Sequence, residues 1–172
     1  SVLGLEQDSV ALMLFCSDTI TIRSGVGQGL SVDVGVAVKS AVDMALQSQG
    51  TNRESNDACL GVTIYEGLGP DGAQVLRSLK YDLADIPILG GVTADQWRFK
   101  QTYQFHIGVV YSDAIALLLF SGPLSLSFGV ESGWNPIGKS GVVTKQGQNV
   151  VYEIDHRPAI EFYQYYLGDN SV

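Results

Sequence analysis

Apolar and polar positions along the chain change period several times, and each change predicts an element. Residues 10–16 form a continuous apolar run of strand length, Asp18 punctuates it, and residues 19–22 alternate, which predicts a tight hairpin rich in β-branched residues. Three glycines follow, at 25, 27 and 29, and read as a flexible turn with several positive-φ positions. Apolar residues at 34, 37, 38, 41, 42, 45 and 46 then have helical spacing, with Ser31 placed to be the N-cap and an end at 48–50. Polar residues 51–57 predict a loop, residues 58–65 a buried strand, and Gly69-Pro70-Asp71-Gly72 a turn. A second helix is expected over 74–83, with Val75, Leu76, Leu79 and Leu83 on one face. A short strand at 86–89 leads into Gly90-Gly91.

Beyond Asp95 the period becomes two. Tyr103, Phe105 and Ile107 alternate with Thr102, Gln104 and His106. Gly108 permits a turn, 109–120 contains a long strand, and Leu/Ser alternation predicts a half-buried strand at 124–130. Residues 142–144 and 150–154 flank Gln146-Gly147-Gln148 as a hairpin. Pro158 opens a last helix that runs to about Leu167, with Gly168 closing it. The order of elements predicts an α+β fold: mixed, largely antiparallel sheets with flanking helices, with a layered sandwich as one arrangement.

The 172 residues allow one domain or parts of two, and a hydrophobic share of 45% excludes intrinsic disorder. Ten basic against eighteen acidic residues give a net charge of −8, with no basic stripe. That balance argues against nucleic-acid partners, which need clustered cations, and against anionic membrane surfaces. No apolar run reaches the ~18 residues of a membrane span, and no basic segment followed by an apolar one opens the chain. Cys16 and Cys59 adjoin apolar runs, so two buried free thiols in a reducing, cytoplasmic compartment are expected over a disulfide. The start at Ser1-Val2, without a methionine, reads as that of an excised piece.

Enzymatic motifs are thin. The glycines at 25, 27 and 29 lie between a strand and a helix, but the third glycine of a dinucleotide fingerprint would fall at 30, which is Leu30. His106 and His156 have no metal-ligand spacing to each other or to the cysteines, and a nucleophile elbow is absent. No cofactor and no metal are expected.

Residues 90–135 are chemically richer. Both tryptophans lie here, Arg98 is flanked by Trp97 and Phe99, and acids and bases alternate around it. A small zwitterion could be held by Arg98 or Lys139 on its carboxylate and by Asp95, Asp113 or Glu131 on its ammonium. The candidate ligand-binding set is Asp95, Trp97, Arg98, Tyr103, Asp113, Glu131, Trp134 and Lys139. The competing reading makes Arg98 a structural bridge to Asp95 or Glu131 and the tryptophans core residues.

Several of these motifs carry a family likeness. Gly90-Gly91, Asp95-x-Trp97-Arg98-Phe99, Thr102-Tyr103-Gln104-Phe105, Val110-Tyr111-Ser112-Asp113 and the run from Phe128 to Trp134 resemble a FIST domain. So do Pro136-Ile137-Gly138-Lys139, the run from Asn149 to Asp155, and Pro158-Ala159-x-Glu161-Phe162-Tyr163. The resemblance implies a FIST N-terminal-type region over 1–121 and the start of a C-terminal-type region over 122–172. It implies an opening strand–helix–strand section before Val10 and a continuation beyond Gly168. It also puts His156 where a glycine is expected.

Domains of this kind serve as sensory modules attached to bacterial chemotaxis transducers, kinases and cyclic-nucleotide enzymes, and in eukaryotes to F-box proteins. The expected function is therefore non-enzymatic: a small polar ligand, such as an amino acid, is bound and its presence passed to a signalling partner or fused output domain. The alternative is a protein–protein interaction module of a signalling or ubiquitin-ligase-type protein, with exposed tryptophans as its mark. An uncharacterised enzyme is the third.

Overall fold

The structure, a computed structural model, describes residues 13–47, 58–131, 133–136, 138–147 and 150–168. Its main sheet has four strands: β1 (Thr21–Gln28), β2 (Ala58–Tyr65), β3 (Ile88–Val92) and β6 (Ala114–Ser121), in the order β1-β6-β2-β3. β6 runs antiparallel to both neighbours and β2 runs parallel to β3, so β1, β2 and β3 share one direction. Helix α1 (Val34–Gln47) follows β1, and helix α2 (Gly72–Leu83) links β2 to β3. Two small sheets follow: the hairpin of β4 (Gln104–His106) and β5 (Val109–Tyr111), and a three-stranded sheet of β7 (Val143–Gly147), β8 (Val150–Ile154) and β9 (Arg157–Pro158). Helix α3 (Ala159–Leu167) closes the described chain. The α+β class stands, and among the described residues all but one of the strand pairings are antiparallel.

One core fills the space between the sheet and the two helices. Val34, Ala37, Val38, Ala41, Val42 and Ala45 of α1 and Val75, Leu79 and Leu83 of α2 meet Ile115, Leu117 and Leu119 of β6. Leu76, expected on the buried face of α2, is exposed instead.

The glycines at 25 and 27 are not a turn. They lie inside β1, where a Cβ at Gly25 would run into the carbonyl of Ala41 and one at Gly27 into that of Ala37. Their role is close approach, and the alanines of α1 supply the other half of the fit. Gly29, with φ +81°, is the member that turns. Two residues before Gly25, the buried Arg23 donates from Nη2 to Ser121 Oγ at 2.8 Å.

Other expectations change. Asp33 caps α1, accepting from the Val36 amide at 3.0 Å, while Ser31 turns to Asp113. Residues 13–16 and 124–130 carry no strand, and among the described residues β1 pairs with β6. The long strand expected within 109–120 is β6, set off from the short β5 at Ser112-Asp113, where Asp113 takes φ +51°. Cys16 is exposed and Cys59 half-buried, and both are free thiols. The loop at 51–57, the helix end at 48–50 and part of the 10–16 run lie outside the described residues.

Two substitutions test this frame. Gly27→Val puts side-chain atoms into the Ala37 carbonyl, and overpacking of that kind lowers stability by ~1–3 kcal/mol or more; chemical denaturation measures it, and an unchanged midpoint refutes the close-packing role. Asp113→Ala leaves the Ser31 amide and hydroxyl unpaired and lowers the denaturation midpoint by about 1–2 kcal/mol of stability.

Candidate functional site

Because β1, β2 and β3 are parallel, their carboxyl ends and the amino ends of α1 and α2 lie along one edge. Open α/β sheets place ligand sites at such an edge. Here it is drawn together by buried polar groups. Glu66, just past β2, is buried and accepts from Thr102 Oγ1 at 2.7 Å, the Leu68 amide at 3.0 Å and the Asp113 amide at 3.3 Å. Thr93, just past β3, shares a hydrogen bond of 2.5 Å with Thr102 and receives Gln104 Nε2 at 2.9 Å. Asp113 accepts from the Ser31 amide at 2.8 Å and the Ser31 hydroxyl at 2.7 Å, and its carbonyl accepts from the amides of Gly29 and Leu30. One acid therefore binds the turn before α1 and another the turn after β2. A cleft of about 600 Å³ opens along this edge between residues 30–34 and 69–77, lined by Ser31, Asp33, Asp71, Gln74 and Arg77 among others.

The β4–β5 hairpin lies against β1 and β6 through its polar side. His106 Nε2 meets Ser24 Oγ at 3.0 Å, and Thr102 and Gln104 are each only 2% exposed. The alternation read from the sequence is thus real: the polar set faces in, and Tyr103, Phe105 and Ile107 face out.

Residues 95–101 precede this hairpin. Asp95 is bound by its own loop, accepting from the amides of Phe99 at 2.9 Å, Lys100 at 2.6 Å and Gln101 at 3.3 Å. The Lys100 amide does most to hold this carboxyl below the usual carboxylate range, with the Phe99, Gln101 and Arg98 amides adding to it against a smaller opposing effect of burial. A lowered folded-state pKa means that this stabilisation is present above the ordinary carboxylate range and is lost as pH falls through the lowered value. Trp97 is 86% exposed, packs edge-on against Phe99 at 5.9 Å between centroids, and is not a core residue. Arg98 donates to Gln96 Oε1 at 3.2 Å and forms no bridge to Asp95 or Glu131 among the described contacts. Tyr103 OH donates to Gln101 Oε1 at 3.1 Å.

Glu131 and Trp134, between β6 and β7 in sequence, are exposed, Trp134 at 89%. Lys139 lies further on, beside a second cleft. That cleft, of about 590 Å³, is walled by Phe162, Tyr165 and Tyr166 of α3 and by Ile154, with Lys139, Arg157, Asp155 and Glu161 at its polar positions. Tyr166 OH accepts from the Lys139 amide at 2.9 Å, and Arg157 pairs with Glu161 at 2.7 Å. Of the eight residues chosen from sequence, Lys139 borders one of these two clefts, while Asp95, Trp97, Arg98 and Tyr103 share the loop and hairpin. The α3 residues were missed. Their signal was present in the aromatic positions 162, 165 and 166 and the Arg157/Glu161 pair at helical spacing. Among the described residues no helix is long and apolar enough to cross a membrane.

Residues 2–157 match the family model described as the FIST N domain. The chain is also 28% identical over 134 residues to the uncharacterized protein MJ1623 of Methanocaldococcus jannaschii. That stretch is 78% of this chain and 25% of the relative, so the aligned part spans about a quarter of the length of the curated relative. With the match reaching nearly every element described above, the chain belongs to the FIST family, whose domains are sensory domains of signal transduction.

Proposed function

We propose that this domain senses a small polar ligand carrying a carboxylate, an amino acid being the simplest, and binds it in the cleft beside α3. The observation that carries this reading is the cleft's mixed lining. At about 590 Å³ it falls within the ~300–1,000 Å³ range of small-molecule sites, which combine apolar walls with a few polar groups. Phe162, Tyr165 and Tyr166 supply the walls. Lys139 and Arg157 supply cations for a carboxylate, and Asp155 and Glu161 supply acids for an ammonium group. The role is binding rather than catalysis, in keeping with a sensory family.

A thermal-melt screen of the intact protein against the amino acids and small carboxylates tests this. At least one compound should stabilise it saturably, by ~2.7 kcal/mol at about 100 times its dissociation constant. The shift should shrink in Lys139→Met and Arg157→Met, which leave the aromatic walls in place. If no amino acid or small carboxylate shifts the melt at millimolar concentration, the reading fails.

A further inference from the structure

We infer that the ligand of the α3 cleft is an aromatic carboxylate, its ring seated against Tyr165 and Tyr166 and its carboxylate on Lys139. This deepens the reading of that cleft as a ligand site and rests on it. The arrangement of the rings and the state of the charged groups lead to it.

Tyr166 is placed by several contacts before any ligand arrives. Its hydroxyl accepts from the Lys139 amide at 2.9 Å. Gly138, at φ +71°, leaves room for its ring, which a Cβ at that position would overlap. Phe162 packs against it with centroids 5.2 Å apart. Tyr165 stands perpendicular to it, at 87° and 4.9 Å between centroids. Phe162 and Tyr166 are half-buried, whereas Tyr165 is 82% exposed.

Two rings at right angles, both bordering the cleft, form a corner. A flat ring that lies parallel to one of them is perpendicular to the other. It can therefore stack in an offset manner on the first and meet the second edge to face, the two geometries that aromatic pairs prefer. An aliphatic side chain fills the same space and gains neither.

The charged groups narrow the other end of the ligand. Arg157 is already engaged by Glu161 at 2.7 Å. Asp155 is tied to the backbone: its carboxylate accepts from the Val142 amide at 2.9 Å, and its own amide donates to the Val142 carbonyl at 2.8 Å. Lys139 spends its amide on Tyr166, but its ammonium forms no ion pair among the described residues. The cation left open beside the aromatic corner is thus Lys139, and a carboxylate is the group that completes it.

Isothermal titration calorimetry of the intact chain with L-phenylalanine, 3-phenylpropionate, L-leucine and L-glutamate tests the assignment. Phenylalanine or 3-phenylpropionate should bind more tightly than leucine and glutamate. Tightest binding by phenylalanine adds recognition of its ammonium group, and tightest binding by 3-phenylpropionate makes the ring and carboxylate sufficient. Tyr165→Leu keeps an apolar side chain and removes the ring. It should lower the preference for the aromatic ligand over leucine about two- to tenfold, the share of an aromatic pair beyond its buried area. Tyr165→Phe should retain that preference, and Lys139→Met should weaken all four ligands. Leucine or glutamate binding at least as tightly as both aromatic ligands overturns the inference, as does a preference that Tyr165→Leu leaves unchanged. If none of the four binds while the thermal screen finds another carboxylate, the aromatic assignment falls and the cleft reading stands. If nothing binds in either experiment, both fall.

Discussion

Gly25 and Gly27 leave room for the carbonyls of Ala41 and Ala37, and this contact between strand and helix backbones fixes the height of α1 above the sheet. Ala37, Ala41 and Ala45 can then be fully buried despite their small size, and Val38 and Val42 reach the space shared with α2. The same approach brings the start of α1 down to the turn at Gly29. The position of that turn matters, because Asp113 reaches across from the start of β6 to hold it. Packing on one face of the sheet thus determines which polar groups meet at its edge.

At that edge the binding forces change in kind. Glu66, Thr93, Thr102 and Gln104 are joined by directional hydrogen bonds in a buried setting, where an unpaired partner would cost about 1–3 kcal/mol. The network orders the hairpin without using its apolar side chains. With Thr102 committed to Glu66 and Gln104 to Thr93, strand alternation turns Tyr103 and Phe105 outward. Exposure of the aromatics therefore follows from burial of the polar set.

The sequence made the helices legible and left the edge obscure, for reasons visible in individual residues. Seven apolar positions at helical spacing located α1, and the burial of six of them shows that its period had one meaning. The glycines at 25, 27 and 29 had two meanings, since a glycine that permits a positive φ and one that permits close approach look alike in a sequence. Ser31 and Asp33 are both good helix caps. Asp33 took the role because Asp113, 82 positions beyond Ser31, claimed the serine. Alternation at 102–107 divided the residues correctly into two sets, but period alone does not say which set faces in. That depended on Glu66, far away in sequence. At 124–130 the alternation met no strand partner among the described residues, and without a ladder it formed no strand. The eight candidate ligand residues were chosen for chemical density along the chain. The α3 cleft is instead assembled from positions 138–166, and only Lys139 belongs to both sets.

The backbone of the 95–101 loop bears on whether the outward tryptophan is incidental. Gln96, Trp97 and Phe99 all have positive φ, between +49° and +65°, a region that bulky residues rarely enter at a cost on the order of 1–3 kcal/mol each. A loose loop would relax from such a state and turn Trp97 over nearby apolar surface. What opposes relaxation is Asp95, whose carboxylate accepts the three successive amides of Phe99, Lys100 and Gln101. Hydrogen bonds to a charged acceptor are stronger than those between neutral groups, and three on one carboxylate act together against that strain. The conformation that presents Trp97 and Phe99 edge to face is thus held by a specific anion inside the loop. An aromatic pair fixed in advance loses little side-chain entropy on contact, and that is the condition under which exposed aromatics become strong anchors.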